Sequence, residues 1–127
     1  WLAKPELIKL IFIDNKPIGF LLAYPDVSAA LQATNGRIFP LGWIRLVWDK
    51  YPTKMVNING IGVIDDYQGL AATALLFIEL YDSVTASGQV DCAEVIQIGT
   101  KNLAMRRELR DMGIDFYKSH ALFELII

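Results

Sequence analysis

The most constraining feature of this 127-residue chain is a strand that runs into a pair of glycines and then into a long helix. From Lys54 to Val63, the residues Met55, Asn57 and Asn59 alternate with Val56, Ile58 and Gly60, the two-residue period of extended backbone with one buried face. The alternation breaks at Gly60-Ile61-Gly62. Paired glycines late in a strand point to a bulge, or to backbone that something approaches closely. From Gln68 to about Ser87, Leu70, Ala74, Phe77, Ile78 and Tyr81 recur at helical spacing, and Gly88 supplies a stop.

The rest of the chain has to supply neighbours for that strand. Leu7 to Ile13 and Pro17 to Tyr24 are apolar, β-rich runs around Asp14-Asn15-Lys16, which predicts an antiparallel hairpin. Val27 to Thr34 reads as a helix started by an Asp or Ser cap and stopped at Asn35-Gly36. Between Ile38 and Tyr51 bulky residues (Phe39, Trp43, Ile44, Leu46, Val47, Trp48) leave strand and short helix in competition. Cys92 to Ile98 predicts a buried strand and Asn102 to Met112 a helix ended by Gly113. Asp115 to Lys118 and Ala121 to Ile127 predict a closing strand pair. Strand, helix, strand, helix and hairpin together give an α/β fold, a mixed sheet flanked by helices, in a single domain over residues 1–127.

Composition narrows the partners. Apolar types make up 54% and charged types 20%, which excludes disorder and leaves room for a homodimer face. A formal net charge of -2 carries no basic surplus for nucleic acid. No run approaches the ~20 apolar residues that span a bilayer, so no membrane partner is expected. The single cysteine, Cys92, can neither staple the chain nor build a zinc site; it fits a reducing cytoplasm and packing as a small apolar side chain, and no metal is expected. The opening Trp1-Leu2-Ala3-Lys4-Pro5 has neither an initiator Met nor the layout of a signal peptide, which reads as a chain beginning inside a longer protein or trimmed.

The stretch from Ile61 through Val63, Asp65, Asp66, Tyr67, Gln68, Gly69, Leu70, Ala71, Ala72 and Thr73 to Leu76 resembles the acyl-CoA signature of the GNAT N-acyltransferases. In that family a strand ends in a bulge, a short acidic turn follows, and an Arg/Gln-x-x-Gly-x-Gly/Ala loop opens a long helix. Unpaired amides and the partial positive charge of a helix's first turn suit a diphosphate. The resemblance implies that acetyl-CoA, or coenzyme A, binds Gln68, Gly69, Leu70, Ala71, Ala72 and Thr73 at its phosphates and the main chain of Ile61, Gly62 and Val63 along its pantetheine arm. A second match is Asn102 followed by Gly113, bounding the family's last helix, and Asn102 joins the expected cofactor-binding set. The whole resemblance runs from about Leu7 to Ile127, lacking the first strand and helices of the full fold. Tyr24-Pro25-Asp26, Ile38 to Arg45 and Tyr67-Gln68-Gly69 also look like the C-terminal domain of larger bacterial GNAT-like proteins.

Several positions depart from the family pattern or carry two readings. Ala71 and Thr73 stand where the loop usually has glycines; Ala71 in a helical conformation stabilises by ~0.4–1 kcal/mol relative to Gly. Leu109 stands where many members carry the Tyr that protonates the departing thiolate, and Tyr117 is the expected replacement, against core packing with its hydroxyl at the surface. Asn57 and Asn59 share a strand face; they either satisfy buried polar groups or orient the amine acceptor, and Asn59 is the second catalytic candidate. Asp65 and Asp66 read as helix caps, His120 as a surface turn residue, and Arg106, Arg107 and Arg110 as a solvated helix face or a contact to the 3′-phosphate of CoA. The implied activity is acetyl transfer to an amine on a small molecule or peptide; the rival is a GNAT-like module without catalysis.

Overall fold

The computed structural model describes residues 4–35, 54–69, 71–121 and 123. Its first strands are β1 (Ile8–Ile13) and β2 (Lys16–Pro25), an antiparallel hairpin. The turn is tighter than the three residues expected, because Lys16 already pairs with Ile13. Asp14 and Asn15 both take positive φ, 48° and 62°, the backbone that a two-residue turn needs to match the strand twist. Ahead of the hairpin, a single 3-10 turn, Pro5–Leu7, buries Leu7.

After the hairpin, α1 (Ser28–Ala33) begins where expected. The Asp26 carboxylate accepts hydrogen bonds from the Ser28 N–H at 2.9 Å and from the Ser28 hydroxyl, which stops the strand and turns the chain. The expected strand-or-helix stretch Ile38 to Tyr51 lies wholly outside the described residues, and so does Leu70.

β3 (Met55–Val63) lies antiparallel beside β2, and β4 (Cys92–Val95) runs parallel to β3 on its other side, giving the order β1-β2-β3-β4. The sheet is mixed and mostly antiparallel. Its register slips where Ala23 pairs with Ile58 but Leu22 pairs with Gly60, so Asn59 is the extra residue of a bulge. The bulge thus falls one residue before the glycine pair. It also changes the phase of the strand: Val56 and Ile58 are buried in the core before it, whereas Ile61 and Val63 pack on the core after it. Gly60 and Gly62 are left on the opposite face, beneath the ring of Phe20.

The core lies between the sheet and α2 (Ala72–Ser87). Leu21, Ala23, Val56 and Ile58 from the strands meet Leu76 and Leu80 from α2, with Phe77 and Val84 packed around them. The helix begins at Ala72, four residues later than the apolar spacing indicated, because Gly69 and Ala71 take positive φ instead of helical backbone.

The chain divides into two compact units, Trp1–Gln97 and Ile98–Ile127. In the second, α3 (Leu103–Asp111) is capped by Asn102, whose side-chain oxygen accepts the Met105 N–H at 3.2 Å. Gly113, at φ 79°, ends it: its N–H reaches the Arg110 carbonyl and the Ile114 N–H reaches that of Leu109, the paired bonds of a Schellman stop.

Two expectations fail. Cys92 is exposed rather than packed, since β4 is only four residues long and its first two positions face out. Asp115 to Lys118 form no strand, and residues 119–121 likewise carry no ladder; apolar residues alone do not make a strand without a neighbouring backbone to pair with. Most of the rest of the expected closing pair, residues 122 and 124–127, lies outside the described residues.

Candidate functional site

The last two strands of the sheet, β3 and β4, part midway. Pairing between β3 and β4 runs from Met55↔Cys92 to Ile58↔Val95 and is extended once, by the Ile96 N–H to the Ile58 carbonyl at 3.0 Å. β3 then continues through Asn59 to Val63 while β4 has ended. On its other edge the same stretch is held by β2, with Leu22↔Gly60, Leu21↔Ile61, Phe20↔Gly62 and Gly19↔Val63. Among the described residues no strand covers the β4-side edge of Asn59 to Val63. An extended ligand carrying amides can complete that edge as an added strand would.

Beyond Val63 the chain is shaped by its own polar groups. Ile64 donates its N–H to the Ile18 carbonyl, and Asp65–Tyr67 form one 3-10 turn. The Gln68 side-chain amide turns back and donates to the Val63 carbonyl at 3.1 Å and to the Asp65 carboxylate at 2.7 Å. Asp65 therefore braces Gln68 instead of capping α2, and Asp66 sits in the 3-10 turn rather than at the helix start. Gln68 offers a ligand its main chain, its amide nitrogen being spent on the loop.

Gly69 has φ 75°, with nothing within 4 Å of where a Cβ would stand. Ala71 follows at φ 62° and ψ 3°, in the left-handed region, which contradicts the helical conformation expected for it. Its Cβ pays the steric penalty that a glycine there avoids. No side chain caps α2, and the first bond into it runs from the Leu75 N–H to the Ala71 carbonyl. The N–H groups of Ala72, Thr73 and Ala74 have no acceptor within the helix, the arrangement that favours an anion. Ala72 and Thr73 are themselves buried, so their side chains pack inward instead of serving as contacts at the surface.

The remaining candidates are distributed differently. Asn59 is exposed at the bulge itself. Asn57, two residues earlier, is half-buried, and its Oδ1 is enclosed without a donor among the described residues. Its amide donates to Asp26, whose carboxyl is held below the usual range first by the Ser28 hydroxyl, then by the Ser28 N–H, with a further contribution from Asn57. In the second unit, Asn102 serves as the α3 cap, and Leu109 is fully buried, so the family's acid position is core here. Tyr117 is 65% exposed, with the Lys118 ammonium 4.7 Å from its ring centroid. Arg106 and Arg110 place their guanidinium carbons 5.1 and 5.5 Å from the Phe116 ring centroid, so they cover an aromatic ring as well as facing solvent. His120 is exposed.

The sequence reading overlooked Phe20 and the conformation of Ala71. The signal for Phe20 lay in the alternation of β2, which puts it on the face opposite Leu21 and across from Gly62. Among the described residues no three of His, Cys, Asp or Glu come together to hold a metal ion, and no helix is long and apolar enough to cross a membrane.

A sheet opened between its last two strands beside an uncapped helix start has close counterparts among solved structures. The aminoglycoside N-acetyltransferase AAC(6')-Iy in complex with CoA superimposes with a TM-score of 0.63, at 14% identity, over 93% of this chain and 74% of that one. A ribosomal-protein-alanine N-acetyltransferase from Brucella melitensis biovar Abortus 2308 gives 0.57 at 12% identity, over 98% and 75%. The chain has the fold of the GNAT acetyltransferases. In sequence it is similar to protein YghO of Escherichia coli (strain K12), 30% identical over 129 residues that cover 98% of this chain. The chain spans about a third of the length of that curated relative, 33%. No protein-family model matches the sequence.

Proposed function

We propose that this chain binds acetyl-CoA and transfers its acetyl group to an amine. The observation that carries the reading is the open edge of Asn59 to Val63 followed closely in the chain by the uncapped amides of Ala72, Thr73 and Ala74. The diphosphate sits at Gln68, Gly69 and Ala71 with the first turn of α2. The pantetheine arm runs back along Val63, Gly62 and Ile61. The residues fit such a ligand, since Gly69 and Ala71 are exposed and, among the described residues, no side-chain cap hydrogen bond takes up the amides at the helix start.

The arm from diphosphate to sulfur is a chain of about a dozen bonds, the span of roughly four residues of extended backbone. Laid from Val63, it brings the thioester beside Asn59 and Gly60, at the bulge. There the neutral amine attacks the thioester carbonyl carbon, the carbon–sulfur bond breaks, and the amine's proton leaves with the thiolate or through water. Main-chain N–H groups at the bulge stabilise the oxygen on which charge develops. Asn59 orients the attacking amine. Solved neighbours point to the acceptor class: AAC(6')-Iy has been captured with a bisubstrate analogue that joins CoA to acetylneamine. By that analogy the acceptor is an amine on a small molecule.

Isothermal titration with CoA and with acetyl-CoA tests the donor half: saturable heat is expected, and its absence at millimolar ligand overturns the reading. A second reading, a GNAT-fold module without catalysis, is favoured by one observation, the burial of Leu109 at the position where the family keeps its acid. Turnover of acetyl-CoA with any amine in a broad acceptor screen eliminates it.

A further inference from the structure

We infer that Phe20 limits the length of the acyl group this domain accepts; the inference rests on the donor path proposed above. At the bulge the two faces of β3 differ sharply. On the side toward α2 the space is full: Ile58 is 2% exposed, and Leu21 and Ala23 are fully buried. An acyl group attached at Asn59–Gly60 therefore has only the opposite face in which to lie.

That face is walled by Phe20. A Cβ on Gly60 would stand 3.5 Å from Phe20 Cε2 and 3.7 Å from Leu22 Cδ1, and a Cβ on Gly62 would stand 3.0 Å from Phe20 Cε1. The second distance is tighter than side chains tolerate, so glycine at 62 is what lets the ring lie down on the strand. Neither Gly60 nor Gly62 has positive φ, so conformational freedom does not explain why both are glycine. The ring they accommodate does. Phe20 is held across from Gly62 in the ladder, but its ring reaches over to Gly60, where the thioester falls, and the residue remains 40% exposed. A two-carbon acyl group stops short of it, and a longer chain runs into it.

The test compares CoA, acetyl-CoA and butanoyl-CoA by isothermal titration on the wild-type chain and on Phe20→Ala. Each methylene that a rigid pocket refuses is worth about tenfold or more, so wild type is expected to bind butanoyl-CoA at least about tenfold more weakly than acetyl-CoA. Phe20→Ala is expected to bring the two within about twofold while CoA itself binds as before. A role of Phe20 confined to packing would shift the melting temperature and leave the acyl preference where it was. Gly60→Ala supplies an independent variant: its methyl stands in ordinary contact with the ring, and it is expected to weaken acetyl-CoA more than CoA. If wild type gives no heat with CoA, the donor site is overturned and this inference with it. If CoA binds but neither variant alters the ranking of acyl groups, the inference alone is overturned.

Discussion

Ala71 is the residue whose behaviour most directly reports on the loop. Holding a Cβ at φ 62°, it destabilises the native state relative to glycine, so Ala71→Gly is expected to raise unfolding stability by about 1 kcal/mol, read from denaturant midpoints. If the methyl also obstructs the diphosphate, the same variant binds CoA more tightly. Gly69→Ala is the converse, with an expected loss of about 1 kcal/mol from backbone strain alone, because no neighbour would touch the new methyl. Asp26 gives a pH signature. Its folded-state pKa is lowered by Ser28 and Asn57, so its contribution is fully present above the unfolded value of about 3.9 and is lost as pH falls through the lowered folded value. The stability difference between wild type and Asp26→Asn should therefore be visible at neutral pH and should close in strong acid. At this scale the sequence was a partial guide. The Gln68-Gly69 pairing with a helix start was readable from residue type, whereas the left-handed state of Ala71 was not, because alanine normally marks helix. The exposure of Cys92 was also hidden, since it depends on how early β4 stops.

Elements were read more reliably, because each is announced by a period that tertiary packing then reinforces. The hairpin, β3, α2 and α3 all lie where alternation or helical spacing put them, while the start of α2 was set four residues early by Leu70 continuing the helical spacing. Asp115 to Lys118 went wrong for a different reason: four residues carry too little pattern to tell a strand from an irregular segment. Within the core, Leu76 is the sharpest test of how α2 is fastened to the sheet. It is 2% exposed among Leu21, Val56 and Leu80, and Leu76→Ala is expected to cost roughly 2–5 kcal/mol in chemical denaturation through lost burial and the cavity left behind. The edge that marks the candidate site was only half legible. The glycine pair announced a disturbance, but the early end of β4 is what opens the gap, and nothing in Cys92 to Ile98 signals that pairing stops at Val95.

For the molecule as a whole, the buried side chains of the described residues concentrate in the Trp1–Gln97 unit, whereas Leu109 alone is buried among those of Ile98–Ile127. Native-state hydrogen exchange should accordingly be slowest at Leu21, Ala23, Val56 and Ile58 and faster throughout α3, a ranking that uniform protection would contradict. Saturating CoA should add protection at residues 72–74 before it does so anywhere in α3. The bulge at Asn59 has one more consequence. It works as a frameshift written in three dimensions: a single inserted residue exchanges inside for outside along everything downstream in that strand. Pairing Asn59 as an ordinary residue of the ladder would carry the alternation straight through it and turn Ile61 and Val63 out to water while sending Gly60 and Gly62 into the interior, so a strand of this sequence without its bulge is the one that could not fold.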